Sequence, residues 1–131
     1  MTARAPATKR SNRPALRSVL VVPAALALLA GLDAALVLLG VWSPVSSSRW
    51  ADAHGLLMVL GFVGALIALE RAVALARPWG FLAPVSLAVG ALAHLTGPTE
   101  HVGRLLLLAG TTGLVATYVP LWRRQRDDAV L

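Results

Sequence analysis

The chain has 131 residues, 57% of them hydrophobic and only 14% charged, with a mean hydropathy of +0.73. That balance excludes an ordinary soluble domain of this size and predicts an all-α, polytopic membrane protein. There is no cysteine, which rules out disulfides, thiolate metal sites and cysteine nucleophiles. The net charge of +6 comes from basic residues at the ends of apolar spans, where they set topology and meet anionic lipid; nucleic acid is not an expected partner.

Residues 1–17, MTARAPATKRSNRPALR, hold Arg4, Lys9, Arg10, Arg13 and Arg17 without an acid. Pro6, Pro14 and the absence of apolar periodicity predict a disordered tail. A secretory signal and a mitochondrial transit peptide compete with an uncleaved cytoplasmic tail. The apolar span that follows is longer than a signal core, which favours the tail.

The first span, 18–42, is long enough to cross the hydrocarbon core with some tilt. Pro23 falls near its start, where a missing N–H costs least. Asp33 is the anomaly. It lies inside the apolar region, about 13 Å along the helix before Trp42. An ionised carboxylate there would cost several kcal/mol, so it is expected to be protonated, paired or turned to the bundle interior.

A polar, turn-rich loop is expected over 43–52, with Trp42 and Trp50 flanking it at the headgroup level. The second span, 53–76, is the most informative. At 100° per residue His54, Met58, Gly61, Ala65, Ala68 and Ala72 share one stripe, and small residues let helix backbones approach closely. His54 is therefore expected in a helix–helix contact at one end of the span. Glu70, near the other end, lies about 160° away on the wheel. Glu70 and Arg71 are adjacent, so they are not expected to form a self-contained pair; Arg71 can snorkel to headgroups and Glu70 needs a partner or a proton.

Arg77-Pro78-Trp79-Gly80 predicts a tight connection. The third span, 81–97, carries Pro84 in its first turn and Gly90 and His94 on one face. After Pro98-Thr99-Glu100 the fourth span runs over 101–122. Its central Thr111 and Thr112 are expected to bond back to carbonyls one turn earlier. Residues 123–131 read as a cytoplasmic tail or the start of a further helix, since Asp127-Asp128 before Ala-Val-Leu resembles an N-cap and suggests a longer reading frame; a frayed terminus explains the same residues.

Ten of the twelve basic residues lie in the N-terminal tail, the Arg71–Arg77 connection and the C-terminal tail, leaving Arg49 and Arg104 on the other side. The positive-inside rule then predicts four spans with both termini cytoplasmic. The excess of arginine over lysine favours a bacterial inner membrane. In this topology His54, His94 and His101 fall at or near the outer surface, with Asp33 somewhat deeper in the same leaflet. Imidazoles from different helices can ligate heme iron or copper, so all three are candidate metal ligands and His54 and His94 the candidate cofactor ligands. The competing reading is of interfacial histidines on helix tips and an Asp33 bonded to one helix neighbour. Neither a serine–histidine–acid arrangement nor a phosphate-binding glycine loop is apparent.

The segment AHGLLMVLGF resembles the His-Gly-x-x-Met opening of a transmembrane helix in heme-copper oxidase catalytic subunits and NnrS-like membrane proteins. The tract through LERAVAL looks more like uncharacterised multi-span bacterial proteins allied to them. The resemblance implies a heme- or copper-associated membrane protein with His54 as an axial ligand at the outer side. It covers about ten residues and lacks a second axial histidine, an adjacent histidine pair for copper and the larger number of spans in those families. The alternative is a non-enzymatic membrane scaffold or small transporter using Asp33 and the small-residue faces, with lipid and further transmembrane helices of the same or another chain as partners. Whether the chain is an enzyme does not follow from these residues.

Overall fold

In a computed structural model, which describes residues 13–45 and 47–128, the chain is all helical. Helix α1 spans Arg13–Leu38, α2 Ser48–Leu56, α3 Ala65–Leu75, α4 Leu82–Leu95 and α5 Glu100–Asp128. An eight-residue π-helical segment, Leu57–Gly64, joins α2 to α3, so that they form one long element. Short 3-10 turns at Pro78–Phe81 and Gly97–Thr99 make the tight connections on either side of α4. No strand occurs among the described residues, and four helices are long and apolar enough to cross a membrane.

Four boundaries differ from the hydropathy reading. Residues 1–12 of the expected tail lie outside the described residues, but Arg13–Arg17 are already helical, as Pro14 sits in the first turn where its missing N–H is not needed. The first helix ends at Leu38, short of Trp42. There Gly40 adopts φ +67°, with Gly40 N–H donating to the Val37 carbonyl at 3.1 Å and Val41 N–H to the Leu36 carbonyl at 3.0 Å. This left-handed closure satisfies the last carbonyls and turns the chain back on itself. The second helix begins at Ser48, so half of the expected loop is helical. Finally, α5 continues through Pro120 to Asp128, so Arg123–Asp128 extend that helix and do not start a new one; residues 129–131 lie outside the described residues.

The core is built of small side chains. Alanine dominates the buried positions and the larger buried aliphatic side chains are leucines, whereas Leu29, Leu105, Leu108, Val115 and Trp122 are exposed. Helix α4 packs against α1, the α2–α3 element and α5. It is the most enclosed span, 44% buried against 17% for the fourth. Glycines set the closest approaches. A Cβ on Gly61 would lie 2.7 Å from Ala91 Cβ and 2.9 Å from Ala27 Cβ, so α1, the π segment and α4 meet at that point. Along the α4–α5 pair, a Cβ on Gly103 would stand 2.7 Å from the His94 backbone nitrogen. Such contacts are the small-residue mode of helix association.

The π segment alters which residues face inward. The buried residues run Ala53, Leu57, Gly61, Ala65, Ala68, Ala72 and Leu75. Three consecutive steps of four residues would drift by about 120° on an α-helix. The wider i→i+5 turns absorb that excess and hold one face against its neighbours. The expected stripe is right from Gly61 onward, but its first two members, His54 and Met58, are half-buried beside the core line and not on it.

Candidate functional site

The up-and-down order of the helices brings the end of α1, the start of α2, the end of α4 and the start of α5 to one end of the bundle. Three polar features gather there.

The first is Asp33. Because the chain reverses at Gly40, Ser43 returns to donate its hydroxyl to Asp33 Oδ1 at 2.8 Å. The other carboxyl oxygen, Oδ2, is buried with no hydrogen-bond partner among the described residues. Asp33 lies in an apolar groove of about 390 Å³ walled by Leu26, Leu29, Pro44, Val45, Trp50 and Leu92. The sequence places Asp33 in apolar surroundings but does not reveal Ser43, whose approach depends on the helix stopping four residues early.

His54 is the second. Its Nδ1 lies 2.8 Å from the carbonyl oxygen of Gly31. A carbonyl only accepts, so Nδ1 carries the proton and Nε2 is the unprotonated nitrogen of the neutral ring. This is the histidine in a helix–helix contact that the second span leads one to expect, linking α2 to α1. It also has one property of an axial metal ligand, a tautomer fixed by a backbone carbonyl.

The third is a polar pocket of about 480 Å³ lined by Ser47, Ser48, Arg49, Asp52, His94 and Glu100. Glu100 holds two arginines, Arg49 at 3.6 Å and Arg104 one helical turn along α5 in closer contact. Gly97 leaves room for the Arg49 side chain, since a Cβ there would come within 3.3 Å of Nη1. His94 Nδ1 is buried and has no partner among the described residues. His101 is exposed on α5.

These histidines do not converge. Among the described residues no three His, Asp, Glu or Cys side chains are grouped to hold a metal ion. The donor set of His54, His94 and His101 is not assembled among the described residues.

Glu70 and Arg71 lie toward the opposite end. Contrary to the expectation from helix geometry, the two side chains do approach, with Arg71 Nη2 3.9 Å from Glu70 Oε1. That is the outer limit of an ion pair, and both are substantially exposed. The Arg71 guanidinium lies 5.3 Å from the centre of the Tyr118 ring on α5. Thr111 and Thr112 bond back to Leu107 and Leu108 carbonyls at 2.8–3.0 Å, as expected of hydroxyls in an apolar helix.

Fold and site together define an all-α bundle with four helices of membrane-crossing length. The chain belongs to a family described as a domain of unknown function (DUF8744), which it matches over residues 17–131. No curated protein and no solved structure matches it.

Proposed function

We propose that this is an integral protein of a bacterial inner membrane, with four spans and both termini in the cytoplasm. The observation that carries this reading is an exterior richer in bulky apolar side chains than the interior. A water-soluble bundle would expose contiguous apolar surface on that scale only at a binding face. The orientation rests on the ten-to-two distribution of basic residues. Single cysteines at Ser47 and Thr99 are expected to react with an impermeant thiol reagent in intact cells, and those at Thr8 and Gln125 only after permeabilisation. Labelling at Thr8 or Gln125 without permeabilisation reverses the orientation.

Within the membrane, the activity supported best is that of a non-enzymatic component, a scaffold or small carrier, organised around Asp33. The support is the carboxyl group that Ser43 holds at the wall of an apolar groove. A second reading, association with heme, draws on the fixed tautomer of His54. The absorption spectrum of protein purified from heme-replete cells separates them. Folded, colourless protein supports the first; a Soret band abolished by His54→Ala, with helical circular dichroism intact, replaces it with the second.

A further inference from the structure

We infer that the cytoplasmic end of the α3–α5 seam is a binding site for the headgroup of a net-negative phospholipid, whose phosphate is received by the Arg71 guanidinium. The inference rests on the membrane reading and its orientation. It goes beyond the general attraction of basic ends for anionic lipid by assigning the contact to one residue.

The state of the guanidinium carries it. Among the described residues Arg71 has two partners, Glu70, whose Oε1 lies 3.9 Å from Nη2, and the Tyr118 ring, whose centre is 5.3 Å from the guanidinium carbon. The first is beyond hydrogen-bond range. The second attracts the cation through its ring face but supplies no oxygen acceptor. Nε is sealed and takes no part, but the side chain is 36% exposed, which leaves the Nη end open at the surface of the bundle. That end presents paired N–H groups, the geometry that matches phosphate oxygens. Tyr118, on the neighbouring helix, holds the fork in place.

The surroundings select the charge of the headgroup. Helices α3 and α5 run in the same direction, because a tight turn joins each of them to α4. Arg124 lies six residues past Tyr118, about 9 Å along α5, with Arg123 beside it. Arg77 lies six residues past Arg71, just beyond the end of α3, and all three are exposed. Asp127 and Asp128 follow on the last turn of α5, farther from Arg71. Arg71 is thus the deepest of four arginines, with Glu70 as the one acid at its own level. A choline headgroup would set its cation against these arginines, whereas a phosphodiester without a cationic group meets only attraction.

The test titrates the full chain in a neutral detergent with phosphatidylglycerol, phosphatidylcholine or glycerol phosphate and follows the unfolding midpoint. Phosphatidylglycerol is expected to raise the midpoint more than phosphatidylcholine does, and the excess to shrink as salt is added. Glycerol phosphate is expected to give no such excess; an equal effect would make this a site for soluble phosphate and overturn the lipid assignment. Each comparison is made within one variant, so the variant's own stability cancels. Arg124→Ala is expected to weaken the phosphatidylglycerol response about five-fold, the weight of one basic residue near an anionic surface. Arg71→Ala is expected to weaken it clearly more, and Arg71→Lys, which keeps the charge and loses the fork, by an intermediate amount. Arg104→Ala, at the opposite end, is expected to leave it unchanged. Equal effects of the two lipids on the wild type, or a loss in Arg71→Ala no greater than in Arg124→Ala, overturns the inference. If both lipids still raise the midpoint above that in detergent alone and the cysteine labelling pattern holds, the membrane reading survives that failure.

Discussion

His54 Nδ1 donates to the Gly31 carbonyl oxygen at 2.8 Å, joining α2 to α1 across 23 residues of sequence. The carbonyl belongs to a helix whose own ladder already uses it, so the imidazole adds a second donor to one oxygen. Removing the ring therefore strands no buried acceptor, and the loss is that of one ordinary hydrogen bond.

His54→Ala is accordingly expected to lower stability in detergent by about 0.5–1.5 kcal/mol. His54→Asn places an amide N–H near the position of Nδ1 and is expected to recover part of that loss; His54→Leu is not. Thermal unfolding followed by circular dichroism reads the difference. Equal stability of the Asn and Leu variants would show that the link contributes nothing.

Gly61 lies where α1, the π segment and α4 meet. Gly61→Ala forces a methyl group within 2.7 Å of Ala91 Cβ and 2.9 Å of Ala27 Cβ, neither of which can rotate away. Overpacking of this kind costs about 1–3 kcal/mol. At Gly55, in α2 of the same long element, an added methyl group would meet nothing within 4 Å. Gly55→Ala therefore serves as the control and is expected to leave the unfolding midpoint unchanged or raised. A midpoint for Gly61→Ala as high as that of Gly55→Ala would mean that the crossing is looser than the structure has it.

The four spans and the connection at Arg77–Gly80 are legible in the sequence because hydrophobic length and the Pro and Gly signals act locally. The inward face of the second span is legible only from Gly61 onward. A wheel at 100° per residue selects His54 and Met58, and nothing in LMVLGFVG announces the i→i+5 turns that bring Ala53 and Leu57 inward instead. At the end of the first span the signal is present. Gly40 is the expected residue at a left-handed helix stop, but the hydropathy of Leu39, Val41 and Trp42 outweighs it. That one boundary hides the Ser43 partner of Asp33. The Arg49–Glu100 and Arg71–Tyr118 pairs join residues from different helices, and no spacing within one helix reveals them.

The two left-handed positions make opposite predictions. Gly40, at φ +67°, is suited to its conformation, whereas Ala76, at φ 55°, carries a Cβ into the same region at the end of α3. The left-handed conformation costs about 1–2 kcal/mol for a residue with a Cβ. Gly40→Ala is expected to destabilise by about 1 kcal/mol. Ala76→Gly, at an exposed site where no packing is lost, is expected to stabilise by a similar or smaller amount. Chemical denaturation of the two variants in one detergent is the measurement, and shifts of the same sign in both would contradict this account of the two helix ends.

Arg71 supplies the last prediction. Its guanidinium lies 5.3 Å from the Tyr118 ring centre, while its approach to Glu70, at 3.9 Å, is loose and exposed. If the ring is the partner that matters, the phenol hydroxyl is dispensable and the aromatic face is not. Tyr118→Phe is expected to keep wild-type stability, Tyr118→Leu to lose about 0.5–1 kcal/mol, and Glu70→Gln to change little. A double-mutant cycle between Arg71→Ala and Tyr118→Leu isolates the coupling from the loss of apolar contact that each change brings. A coupling near zero there, together with a clear loss in Glu70→Gln, would assign Arg71 to its neighbour on α3 and not to α5.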